Sequence, residues 1–305
     1  DRCLAYLPAG DQRMTRLRFR PRMIRLVFIY VAVAITLFWA LAPIYWVMIS
    51  SISTRAELYT APKKVWFPAS PTLQNYQDLF TTGPKYRAGG FLPTAHLMSW
   101  GMRIVASTAT AALVTLLATG AGYVFARLRF RGNQIAFFYL MLMMPLPIWV
   151  SLVELYFMFS RLELMDTLVG LILILTTLAL PISTWLMTTY IRDIPIEIED
   201  AALVDGCSRW RLLVSINIPL ARPGMVAVFL VALLLAWNNF LIPLIFTRTS
   251  ASQPMTVVLS LFIGQYEVAW EAMSAAAVVT MVPPFLMALF FQRYLVRGLT
   301  LGAVK

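Results

Sequence analysis

Six stretches of this chain are more apolar, over a greater length, than a soluble core of this size requires. They run over residues 26–50, 98–126, 134–159, 167–190, 224–246 and 271–292. Each is close to the roughly 20 residues an α-helix needs to cross the hydrocarbon layer of a bilayer. The expected fold is therefore all-α: a polytopic membrane protein with six transmembrane helices. Composition agrees, since 60% of the residues are hydrophobic and 13% are charged, about half the charge of a soluble domain. Arg103 and Glu154 interrupt two of the runs.

The loops between the runs carry the orientation. With the N-terminus in the cytoplasm, seventeen of the 25 Lys and Arg residues fall on that side, seven fall outside and Arg103 lies within a span. Basic residues collect in short cytoplasmic loops, so both termini are expected in the cytoplasm. The same distribution disposes of nucleic acid as the reason for a net charge of +11, because the positive residues punctuate apolar runs instead of forming a patch on a soluble fold. Residues 1–25 form a basic N-terminal segment without the pattern of a cleavable signal, and residues 1–13 read as an extension ahead of Met14. Residues 26–305 form the membrane domain. Cys3 and Cys207 both fall on the cytoplasmic side and are expected as free thiols. No metal site is expected, with His96 the single histidine.

Two other loops are long. The outer loop at 54–95 is rich in Pro, Gly and aromatics, which suits an ordered cap. The inner loop at 191–223 is the more informative. Pro195 suits a first helical turn, and Glu197, Glu199 and Asp200 follow where acids favour a helix N-terminus. Ala201 and Ala202 continue the helix with little bulk, and Gly206 after Asp205 reads as a left-handed stop. Ser208 is placed to cap a second short helix, which is expected to end before Pro219. A helix, a tight turn and a helix held between two spans make a rigid docking element, with the two alanines as a flat face and the acids as polar partners. The same chemistry also serves an ordinary, well-capped surface loop.

This stretch resembles the EAA signature of binding-protein-dependent ABC importer permeases: Glu-Ala-Ala, three residues, Gly, nine residues, Ile, one residue, Leu-Pro. It stands here as Asp200-Ala201-Ala202, Gly206, Ile216, Ile218 and Pro219 with every spacing kept. Asp200 and Ile218 replace Glu and Leu, while Glu199 and Asp205 fit the wider pattern. The turn Ala126-Arg127-Leu128-Arg129-Phe130-Arg131-Gly132, the segment Trp237-Asn238-Asn239-Phe240 and the tail from Gln292 to Lys305 are similar to the maltose-type carbohydrate branch, in its smaller paired subunit. At Met102-Arg103 the chain departs from the Asn-Ser usual in that branch.

The resemblance implies a pore-forming subunit that is not an enzyme. It implies a second permease subunit, two cytosolic ATPase subunits that grip the coupling helix, and an extracytoplasmic solute-binding protein. Glu199, Asp200, Ala201, Ala202, Asp205, Gly206 and Pro219 would form the ATPase-coupling element. No cofactor is expected in this chain. It has no Gly-rich phosphate loop, so ATP and Mg belong to the ATPase partners.

Polar residues inside spans are costly and mark function by default. Trp237, Asn238, Asn239 and Glu154 are the candidates for a translocation path. Asn beside Trp suits a sugar, which shows hydroxyls and apolar ring faces, and equally suits bonding between helices. Glu154 either lines the path or sits solvated near the outer interface. Pro145 and Pro147 are expected to kink the third span, and Pro283 and Pro284 the last. The leading expectation is a permease for a sugar or oligosaccharide. The alternatives are an ABC permease for another solute, such as a phosphorylated glycerol, and a secondary transporter, which calls for internal repeats and ion-coupled buried charges.

Overall fold

The computed structural model describes residues 21–59, 66–80, 95–145, 148–247 and 268–300. Every element among them is a helix, as the apolar runs demand. Twelve are named here: α1 (Pro21–Ile52), α2 (Arg55–Tyr59), α3 (Gln74–Phe80), α4 (Ala95–Arg127), α5 (Asn133–Leu142), α6 (Ile148–Arg161), α7 (Leu168–Arg192), α8 (Ile196–Val204), α9 (Arg209–Leu212), α10 (Ile218–Asn238), α11 (Leu241–Phe246) and α12 (Trp270–Thr300).

Among the described residues, five helices are long and apolar enough to span a membrane: Arg25–Ile52, Gly101–Arg127, Leu168–Arg192, Arg209–Asn238 and Trp270–Phe291. The run at 134–159, expected as one kinked span, is instead two shorter helices, α5 of 10 residues and α6 of 14. The cause is local. Pro145 has no N–H to give and disfavours helical angles at the residue before it. The end of α5 tightens ahead of it, where Met143 and Met144 donate to Leu140 O at 3.3 Å and Met141 O at 3.1 Å.

The chain divides into two compact units, residues 1–46 and 47–305. Of the first, the described part is most of α1, whose apolar side chains are exposed around the whole circumference, Phe28, Tyr30, Phe38 and Trp39 among them. A helix apolar on every face needs an apolar surrounding.

The second unit is built on α4, α7 and α10, each packed against the other two. Lipid tails are as apolar as leucine, so close packing rather than water expulsion holds such helices together, and small residues allow it. Ala111, Ala118 and Gly122 line one face of α4. At Gly122 a β-carbon would lie 3.0 Å from both Met187 Cβ and Thr188 N of α7. Buried threonines return their hydroxyls to their own helix: Thr115 to Ala111 O at 2.7 Å, Thr119 to Thr115 O at 2.7 Å and Thr188 to Thr184 O at 2.7 Å. These bonds supply acceptors that the bilayer lacks.

Within the loop expected as an ordered cap, the described residues are tied to the helix ends. Asn75 donates to Ser51 O and Ser53 O, both at 2.9 Å, and Ser51 Oγ meets Tyr76 OH at 2.7 Å. Glu57 accepts from Ser70 N at 2.9 Å and Thr54 N at 3.2 Å. Those backbone donors hold its carboxyl below the usual carboxylate range. Leu79 of α3 then packs on Ala272, Ala275 and Ala276 at the start of α12.

Candidate functional site

The 191–223 loop has the expected helix and turn. Pro195 is the N-cap of α8, and Glu197 and Glu199 occupy its first turn, where their charge opposes the helix dipole. Gly206 has φ of +80°, a conformation that costs little only for glycine. Around it Gly206 N donates to Leu203 O at 3.0 Å and Cys207 N to Ala202 O at 3.0 Å, the paired bonds of a Schellman stop. Ser208 then caps α9 by accepting from Arg211 N at 3.3 Å.

The second helix does not end before Pro219, contrary to expectation. The chain runs from α9 through one π-helical turn, Leu213–Asn217, directly into α10. Pro219 falls in the first turn of α10, where its missing N–H goes unused. The widened turn also spares its ring the clash with the carbonyl four residues back. The loop is thus fused to the membrane helix that follows it. Asn217, in that turn, is 1% exposed with both amide atoms unpartnered.

The expected flat alanine face is divided. Ala201 is exposed, whereas Ala202 is buried with Met187, Ile191, Leu212 and Ala221. Glu199 also points inward. Its Oε1 lies 2.6 Å from Nε of Arg127, the last residue of α4, with both side chains buried. Arg127 donates a second bond to Ile194 O. So Glu199 and Ala202 seat the loop on the bundle, and the outward face is left to Glu197, Asp200, Ala201, Asp205 and Gly206. Val204 and Trp210, exposed by 88% and 74%, are the most exposed apolar residues of α8 and α9, with Ile196 and Ile198 less so. Neither Val204 nor Trp210 was singled out from sequence. Arg127 had been read only as part of a basic turn, although an arginine ending a membrane helix and an acid in a signature loop are a natural pair.

The membrane candidates separate as well. Trp237 is buried near the end of α10, with the Arg103 guanidinium over its ring at 4.5 Å from the centroid. Arg103 Nη2 donates to Trp237 O, and Ser107 Oγ donates to Arg103 O. Asn239 ends α10 in an extended conformation, and its Oδ1 accepts from Ile242 N of α11 at 3.1 Å. Asn238 is exposed. Glu154 is on the exposed side of α6, while Leu155 and Phe159 on the same helix pack into the core. The structure therefore joins Trp237 and Asn239 around Arg103 and leaves Glu154 apart. Arg103, Ser107, Leu171, Leu175, Trp237, Asn239 and their neighbours enclose a cavity of about 10 Å³, room for one water at most.

Residues 115–301 match the family described as the inner membrane component of binding-protein-dependent transport systems. The sulfoquinovosyl glycerol transport system permease protein of Agrobacterium fabrum is 33% identical over 90% of this chain and 93% of its own length. The trehalose transport system permease protein of Mycobacterium tuberculosis is 32% identical over 88% of this chain and 93% of its own. Among solved structures, a chain of a bacterial ABC transporter that imports the acidic polysaccharide alginate superposes with a TM-score of 0.64 at 13% identity, over 90% of this chain and 97% of that one.

Proposed function

This chain belongs to the family of inner membrane components of binding-protein-dependent transport systems, and we propose that it is a permease subunit for a sugar or oligosaccharide. It lines the solute path together with a second permease subunit. Two cytosolic ATPase subunits supply ATP and Mg and engage the outward face of α8, and an external binding protein delivers the solute. The α8–α9 end faces the cytoplasm, as do both termini. The relatives named for trehalose and sulfoquinovosyl glycerol support the substrate class.

The observation that carries this reading is the seating of the α8–α9 loop. It is welded to α4 by Arg127–Glu199 and continuous with α10 through the π turn. A push on its outer face therefore moves two core helices together. A surface loop without a partner has no need of a buried ion pair beneath it, nor of exposed Val204 and Trp210.

Reconstitution tests the proposal. Vesicles holding both permease subunits and the ATPase, given the binding protein outside and ATP within, should accumulate a labelled oligosaccharide, and those lacking this chain should not. Accumulation driven by an ion gradient without the ATPase would point to a secondary transporter instead. The orientation has its own check: a membrane-impermeant thiol reagent added outside cells should not reach Cys207.

A further inference from the structure

Arg103 is a charged side chain 4% exposed within the membrane half of the bundle, among α4, α7 and α10. Its guanidinium has five N–H donors. One of its nitrogens bonds Trp237 O, its face lies on the Trp237 indole, and Nε and Nη1 have no partner. Among the described residues no carboxylate pairs with it, in contrast to Arg127. A buried cation without a counter-charge is among the most costly arrangements a fold keeps, and here it is kept where the three core helices meet. Leucine or methionine would fill the same space at no such cost.

We propose that Arg103 is the binding group for an oxyanion on the transported solute, so that the substrate is an acidic glycoside bearing a carboxylate, sulfonate or phosphate. This rests on the reading of the chain as a sugar permease. A neutral sugar hydroxyl would satisfy a hydrogen bond but not the charge, and only an oxyanion answers both through the guanidinium fork. Within this chain alone the side chain is 4% exposed. The cavity of about 10 Å³ admits no solute as it stands, so the site opens with the transport cycle. The covering residue, Trp237, lies at the end of α10, next to the extended joint at Asn239. A shift of that joint uncovers Arg103 without unfolding a helix.

The test uses the assembled importer in lipid nanodiscs without the binding protein, so that the permease's own preference is read. Titration calorimetry compares a uronic-acid disaccharide, its neutral counterpart and glycerol phosphate. Wild-type complex should bind the acidic disaccharide at least about tenfold more tightly than the neutral one. Arg103→Met should abolish that preference, and Arg103→Lys should retain part of it. Equal affinity of the wild type for the two disaccharides overturns the inference and leaves the sugar reading standing, whatever the variants do. Binding of glycerol phosphate alone, lost in Arg103→Met, sinks the sugar reading and keeps the anion site. Binding of none of the three overturns both.

Discussion

Helix α4 carries two buried arginines, Arg103 in its first half and Arg127 as its last residue, and the fold treats them differently. Arg127 has a carboxylate at 2.6 Å and a backbone carbonyl besides. Its charge is matched, and the match fastens the α8–α9 loop to the bundle. Arg103 has an indole, one carbonyl and two idle nitrogens. The first is a finished interaction, and finished interactions hold parts still. The second leaves binding capacity unused at a place where α10 gives way to α11. On the proposed function, the contrast separates a rigid end that would take up force from an incomplete end that would receive the solute.

The largest expected effect breaks the finished pair. Glu199→Ala strands Arg127 as an uncompensated buried charge, which costs about 3–5 kcal/mol. Thermal unfolding of the purified complex and chain abundance in membranes should both fall. The paired replacement of Glu199 by Leu and Arg127 by Met should recover most of the loss, since two apolar groups leave no charge unmatched. If Glu199→Ala unfolds at the wild-type temperature, the clamp is not structural.

Next comes the packing between the two arginines. Gly122→Val puts a β-carbon against the backbone of α7, and overpacking of this kind costs about 1–3 kcal/mol. The same melting curves should show a drop smaller than that of Glu199→Ala.

Arg103→Met should change stability by no more than about 1 kcal/mol, because the lost cation–π contact is offset by relief of an unpaired charge. A fall as large as that of Glu199→Ala would mean that Arg103 is structural too and would erase the contrast. Smallest of all is the effect at Glu57, a half-buried carboxylate held by Ser70 N and Thr54 N. Its folded pKa is depressed. Its contribution is therefore complete above the unfolded value and is lost as pH falls through the folded one. Amide exchange at Ser70 should accelerate only below the ordinary carboxylate range, and Glu57→Gln should remove that pH dependence.

The sequence exposed these two regions unequally. The loop was legible because its signals are local. A proline before acids, a glycine that must turn left-handed and a serine cap act within a few residues, and the structure shows all three at Pro195, Gly206 and Ser208. Helix type and the position of five spans were legible for the same reason, since bilayer thickness is written in run length. The break before Pro145 was expected only as a bend, whereas α5 closes in tight turns at Met143 and Met144. Direction was less legible. Spacing alone placed Ala201 and Ala202 together, whereas successive residues on a helix point about 100° apart, and burial divided them. Partnership was not legible at all: Glu199 and Arg127 lie 72 positions apart, and Arg103 and Trp237 lie 134 apart. No local pattern announces that one arginine is matched and the other is not.

The central claim is that the α8–α9 loop passes the force of ATP hydrolysis to the membrane helices. Gly206→Leu tests it most directly. Its β-carbon would meet nothing within 4 Å in this chain, so the bundle is undisturbed, and the left-handed backbone is strained by about 1–2 kcal/mol. The measurement is oligosaccharide uptake and binding-protein-stimulated ATPase activity in reconstituted vesicles, beside chain abundance. The account predicts normal abundance with uptake and stimulation both sharply reduced. Normal uptake at normal abundance would show that the loop does not couple the two, and would contradict it.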